Sequence, residues 1–111
     1  MILSTPRPDI KPRDTLYTKT HEIVKATGVV VHLTNQEGVI LAAIHSALPV
    51  SMNRWDIAKM LWGPRENWPG DWENTLRQHV FNLRKKINRC TFSIMTHWGG
   101  GYRLDGELEV K

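Results

Sequence analysis

The chain has one cysteine, Cys90. A single thiol cannot close an internal disulfide, so the fold must rest on its core, as suits a reducing compartment. No run is long or apolar enough to cross a bilayer, so no membrane partner is expected. The opening MILSTPRPDIKPRD lacks the apolar stretch of a secretory signal. These absences predict a cytoplasmic location. No serine, cysteine or histidine stands in a recognisable nucleophile motif. Cys90 and the scattered histidines lack metal-ligand spacing. Gly99-Gly100-Gly101 has neither the lysine nor the following helix of a phosphate loop. Glu66, Asp71 and Glu73 suit loop charges and caps better than a catalytic pair. The reading is of a protein that is not an enzyme and carries no metal or cofactor.

What is present points elsewhere. The 111 residues suit one small domain, and a hydrophobic share of 41% permits a core. A formal charge of +4 and a pI near 9.5 favour an anionic partner, nucleic acid first. Five tryptophans are many for this length.

The stretch 73–89, ENTLRQHVFNLRKKINR, organises the chain. Leu76, Val80, Leu83 and Ile87 recur at helical spacing and form one apolar stripe. The opposite face carries Asn74, Gln78, Phe81, Asn82 and Lys85. Arg77, Arg84 and Asn88 flank it on one side, and Thr75, His79 and Lys86 on the other. The acid Glu73 lies at the positive end of the helix dipole, and most of the bases lie toward the negative end. Amides bond base edges and cations bond phosphates, so this is the composition of a helix that reads DNA. The same pattern also suits a merely solvated basic helix.

Around it the chain reads in order. Residues 1–14, with Pro6, Pro8 and Pro12 among basic residues, predict a flexible arm. From Thr15 to Leu33 the residues favour strands, with β-branched runs at 20–26 and 29–33 around a Thr27-Gly28 turn. Thr34 and Glu37 form a capping box for a helix to about Ala47, with Val39, Ile40, Ala43, Ile44 and Ala47 inward and His45 facing solvent. Asn53 caps a second helix that ends at Leu61 or Trp62, with Ile57, Ala58 and Leu61 inward. Residues 63–72, GPRENWPGDW, form a loop. Its Trp68 and Trp72 are costly to expose, and packing is the favoured role. After the third helix, residues 91–97 and 102–104 make a hairpin turned by the three glycines. Residues 105–111 read as a short tail.

Strands, three helices and a hairpin make an α+β winged helix-turn-helix. LT-x-x-E at 33–37, R-x-x-I at 54–57, LWG at 61–63, LRKKI at 83–87 and T-x-x-G-x-G-Y-R-L at 96–104 fall in one order. In this the chain resembles the winged-helix DNA-binding domain of OmpR/PhoB-type bacterial response regulators, over about residues 15–104. The resemblance implies a transcription regulator that binds double-stranded DNA, with helix 73–89 in the major groove and the wing, 92–104, near the minor groove. By amide chemistry Asn74, Gln78 and Asn82 are candidates for base edges, and Phe81 for a thymine methyl. Arg84, Lys85, Lys86, Thr75 and His79 are candidates for phosphates, several of them by resemblance. By resemblance too, Arg54 and Trp62 touch the DNA backbone from the second helix, and Tyr102 and Arg103 from the wing.

There are departures. The receiver domain that ordinarily precedes such a domain is not found in these residues, so a stand-alone regulator is expected, in a bacterial cell or, if phage-encoded, a host cell. The loop 63–72 is longer than usual. Arg77 replaces a common acid, and Phe81 a common polar residue. Trp98 stands where an arginine often enters the minor groove. Packing of Trp98 against the third helix or Tyr102 is the favoured expectation, and a contact with DNA the other. A rival reading makes the chain a protein-binding adaptor, phage- or plasmid-borne, that meets RNA polymerase or another transcription protein through Arg65 and Trp68. Related domains bind direct repeats, so a tandem dimer on DNA is also expected.

Overall fold

The computed structural model describes residues 13–111. In chain order the elements are β1 (Asp14–Tyr17), β2 (Glu22–Val24), β3 (Val30–His32), α1 (Asn35–Ser46), α2 (Arg54–Trp62), a 3₁₀ turn (Arg65–Asn67), α3 (Trp72–Lys86), β4 (Phe92–His97), β5 (Gly101–Gly106) and β6 (Leu108–Val110). Two sheets result. One has the order β3-β2-β1-β6, and the other is the β4-β5 hairpin.

The first sheet departs from expectation at both ends of the chain. Residues 105–111 are not a tail. β5 continues to Gly106, and β6 pairs parallel with β1, Asp14 opposite Leu108. The reason is local and apolar: Leu108 buries its side chain in the common core, and β1 offers an unpaired edge. Of the expected arm, residues 1–12 lie outside the described residues, while Asp14 already belongs to β1. Asp14 is a buried junction. Its Oδ1 accepts from the Ala26 amide at 2.8 Å and its Oδ2 from the Thr91 amide at 2.9 Å. One carboxylate thus joins β1, the β2–β3 turn and the approach to β4.

The helices begin where their caps predict. Thr34 Oγ1 accepts from the Glu37 amide, and the Glu37 carboxylate accepts from the Thr34 amide, a complete capping box. Glu37 is 2% exposed, and its second partner is the Lys86 ammonium of α3 at 2.6 Å. The inward face of α1 differs slightly from the reading. Leu41 is buried with Ile40, Ala43 and Ile44, whereas Val39 and Ala47 are half-buried. His45 does not face solvent freely: its Nε2 lies 3.0 Å from the Leu108 carbonyl of β6. Gly38 is buried beneath His21, and a methyl there would collide with the imidazole. That close approach outweighs the helix propensity glycine gives up.

Asn53 caps α2 through the Asp56 amide at 2.8 Å, and Gly63 closes it at φ 73°. The stripe is buried as read: Leu76, Val80 and Leu83 of α3, and Ile87, which caps its end, share one core cluster with Leu16, Ile23 and the buried residues of α1. Phe92, Ile94 and Leu104 bring the hairpin into the same cluster. Each fully buried leucine or isoleucine contributes about 1.5–3 kcal/mol relative to exposure. Among the described residues no helix is long and apolar enough to cross a membrane.

Candidate nucleic-acid interface

Burying one stripe of α3 leaves its other face outward. Asn74, Arg77, Gln78, Phe81 and Lys85 are exposed, and Thr75, His79 and Asn82 are half-buried beside them. Gln78 Nε2 reaches Asn82 Oδ1 at 3.5 Å, so the two amides share one patch. The Lys85 ammonium lies 4.6 Å from the Phe81 ring centroid, one helical turn away. Thr75 spends its hydroxyl on the Asp71 carbonyl at 3.0 Å, which anchors the first turn.

Two of the expected phosphate cations are engaged within the fold. Arg84 Nε donates to the Ile94 carbonyl at 3.1 Å and its Nη2 to Thr96 Oγ1 at 2.8 Å. The guanidinium also lies 5.6 Å from the Tyr102 ring centroid. Arg84 therefore fastens the hairpin to α3. Lys86 is paired with the buried Glu37. Burial pushes the Glu37 carboxyl up, but the Lys86 ammonium and the Thr34 amide outweigh it and hold it below the ordinary carboxylate range.

The wing is the β4-β5 hairpin, in register from Phe92↔Gly106 to His97↔Gly101. Its sequence bounds were read one residue long on β4 and too short on β5. Tyr102, read as touching the DNA backbone, is 8% exposed and packs in the core. Its backbone also exchanges hydrogen bonds with Met52 at 2.9 Å each way, a bridge that needs Gly101 because a Cβ there would meet the Met52 carbonyl. Arg103 is exposed on β5. The turn lies against Arg54: a Cβ at Gly100 would sit 3.0 Å from the guanidinium carbon. Arg54 in turn pairs with Glu73 at 3.0 Å. One arginine thus connects the start of α2, the start of α3 and the wing turn. Trp98, at that turn, does not pack. It is 95% exposed, against the favoured expectation, at a turn that Gly99 and Gly100, both at φ 85°, complete.

The tryptophans of the loop do pack. Trp68 and Trp72 are each 8% exposed and meet edge to face, centroids 5.0 Å apart. Trp55 contacts both, and Trp62, half-buried, lies 6.3 Å from Trp68. Trp68 Nε1 donates to the Gly63 carbonyl at 2.9 Å, so its polar edge is satisfied. Arg65 stays outside, its guanidinium 4.8 Å from the Trp68 centroid and 5.7 Å from that of Trp55.

The family model described as "Transcriptional regulatory protein, C terminal" matches residues 28–104. The chain belongs to this family. Among solved structures, the DNA-binding domain of Bacillus subtilis CssR superposes with a TM-score of 0.69 at 23% identity, covering 83% of this chain and 99% of that one. The DNA-binding domain of the response regulator AdeR, solved in complex with an intercistronic region, gives 0.66 at 22%, covering 89% and 100%. A search of curated proteins finds no match. The fold is the winged helix of response-regulator DNA-binding domains.

The family match spans the three helices and most of the wing. β1, β2 and β6 fall outside it. Within this transcriptional-regulator frame, sequence reading missed three positioning contacts: Glu73 on Arg54, Glu37 on Lys86, and Thr96 on Arg84. The first had no signal, because its partners lie on different helices. The capping box did mark Glu37, but not its second partner. The alternation of β4 placed Thr96 on a strand without saying which side chain would meet it.

Proposed function

We propose that these 111 residues bind double-stranded DNA sequence-specifically and regulate transcription, α3 lying in the major groove and the wing at the adjacent minor groove. The observation that carries this reading is the outward face of α3. Amides at Asn74, Gln78 and Asn82 are interleaved there with Phe81 and Lys85, on a helix anchored by its other side. The AdeR domain, of the same fold, was solved with a DNA segment, which supports the same ligand class here. In this reading Asn74, Gln78 and Asn82 meet base edges and Phe81 meets a thymine methyl. Lys85, His79 and Arg103 meet phosphates, Thr75 anchors the first turn of α3 on the Asp71 carbonyl, and Arg54 exchanges Glu73 for a phosphate. Arg84, Lys86 and Tyr102 hold the fold that presents them, and Trp62 supports the loop. Binding as a tandem pair on direct repeats belongs to the same reading.

A protein contact is a second role, favoured by one observation. Trp55 is 45% exposed beside the buried Trp68 and Trp72, with Arg65 over both Trp55 and Trp68. A partner in the transcription machinery, such as RNA polymerase, fits an aromatic surface with a cationic cover.

The test is selection of bound sequences from a random duplex pool, followed by titration of the winner against salt. A single enriched motif is expected. If about four phosphates are neutralised, log affinity falls against log salt with a slope of about −4. No enrichment, with no duplex binding even at low salt, overturns the reading.

A further inference from the structure

Trp98 is far more exposed than any other large hydrophobic side chain among the described residues. It is held out on a stiff support. Six register pairs form the stalk of the hairpin, and the Gly100 amide closes the turn on the His97 carbonyl at 3.2 Å. Arg84 ties the stalk to α3, and Arg54 lies beneath the turn. An indole at such a point gains nothing from its own chain. The cations nearest the turn are Arg54, which lies beneath it and pairs with Glu73, and Arg103, exposed on β5. A flat apolar group flanked by cations complements a base stack flanked by phosphates.

We propose that Trp98 is a wedge. It enters the minor groove next to the site read by α3 and stacks into a base step, while Arg54 and Arg103 hold the phosphates on either side. This rests on the DNA-binding reading above. The minor groove is about 6 Å wide, which admits an indole edge-on but not a helix. Apolar side chains inserted there unstack a step and bend the duplex away. Pyrimidine–purine steps unstack most easily, so the wedge selects one at a fixed spacing from the motif. An indole neutralises no phosphate. Its contribution therefore leaves the salt slope untouched, unlike that of an arginine at the same place.

The experiment uses the full 111-residue chain and the duplex recovered by selection. Affinity, salt slope, duplex bending by end-to-end energy transfer, and melting temperature are measured for the parent, Trp98→Ala, Trp98→Phe and Trp98→Arg. For Trp98→Ala the expected result is a loss of about tenfold in affinity, by the scale of aromatic–base stacking. Its salt slope and melting temperature stay unchanged and its bend is smaller. Trp98→Phe recovers most of the affinity and bend. Trp98→Arg recovers affinity with a steeper slope but not the bend. If the parent binds and Trp98→Ala matches it in affinity and bend, the wedge is overturned while the DNA reading stands. If Trp98→Ala melts lower, the ring is packed and the wedge is again overturned. If the parent binds no duplex, both readings fall.

Discussion

Single carboxylates hold this small domain together at two buried points, and both follow the same electrostatic rule. Asp14 and Glu37 are the buried acids among the described residues. Burial alone raises a carboxyl. At Asp14 the amides of Ala26 and Thr91 and the Cys90 thiol reverse that, and at Glu37 Lys86 and Thr34 do so. Both are held below their ordinary range in the folded state. A depressed folded value means that folding favours the charged form. The stabilisation is full above the ordinary carboxylate range and is lost as pH falls through the lower folded values. The melting temperature should therefore drop on acidification through that window, and less so in Glu37→Gln, read by thermal melts across pH. Asp14→Ala should cost about 3 kcal/mol, since it strands two amides on a charge-assisted acceptor. Denaturant unfolding reads that cost, and a loss within about 0.5 kcal/mol, the range of an ordinary surface change, would contradict the junction. On the outward face the expectation is the opposite. Gln78→Ala should leave stability intact and cost about 1–3 kcal/mol on the selected duplex but little on random DNA. Arg84→Ala should lower stability first, because its guanidinium bonds the Ile94 carbonyl and the Thr96 hydroxyl of the hairpin.

At the scale of elements, what was legible followed from periodicity and local chemistry. The capping box at Thr34, the Asn53 cap, the Gly63 stop and the stripe of α3 are local, and each stands where it was read. The hairpin was legible because β4 alternates and three glycines follow. β1 and β6 were not. Each is short, DTLY and LEV, and neither alternation nor length separates three or four residues from a loop. Their pairing also spans most of the chain, and register at that distance leaves no local trace. The misplaced expectation for His45 has the same cause, since its partner is the Leu108 carbonyl. The outward side chains of α3 were legible as a face. Which of its cations were already engaged was not, because Glu37 and Thr96 come from other elements. Removing residues 108–111 tests the unseen strand. It deletes the buried Leu108 and opens the edge of β1, so it should destabilise by at least about 2–3 kcal/mol, checked by thermal melting.

At the scale of the whole molecule, charge divides between groups used inside the fold and groups left outward. Acids that matter to the fold are inside or at junctions, and the exposed cations Lys85, Arg103 and Arg65 lie on the faces assigned to partners. The excess of positive charge is therefore available for long-range attraction, which accelerates encounter with an anionic polymer and fades with salt. The lone thiol belongs to the interior side of that division. Burial and the neighbouring Asp14 carboxylate push Cys90 up to about 11. As a thiol with a raised value it stays protonated at neutral pH, and the thiolate that reacts is scarce. Alkylation by maleimide should be slow in the native protein and fast in denaturant. Rapid native labelling would place Cys90 outside the Asp14 junction.

The parallel pairing of β1 with β6 also sets an order of events during synthesis. Among the described strands, β1 comes first in the chain and is completed by β6, which comes last. Until residue 110 has emerged, β1 keeps one edge open and the Leu108 site in the core is empty. The helices and the hairpin, whose contacts are nearer in sequence, have no such wait. The helices and the hairpin can thus form before the sheet behind them closes, and final stability arrives late, with a contact between strands far apart in the chain.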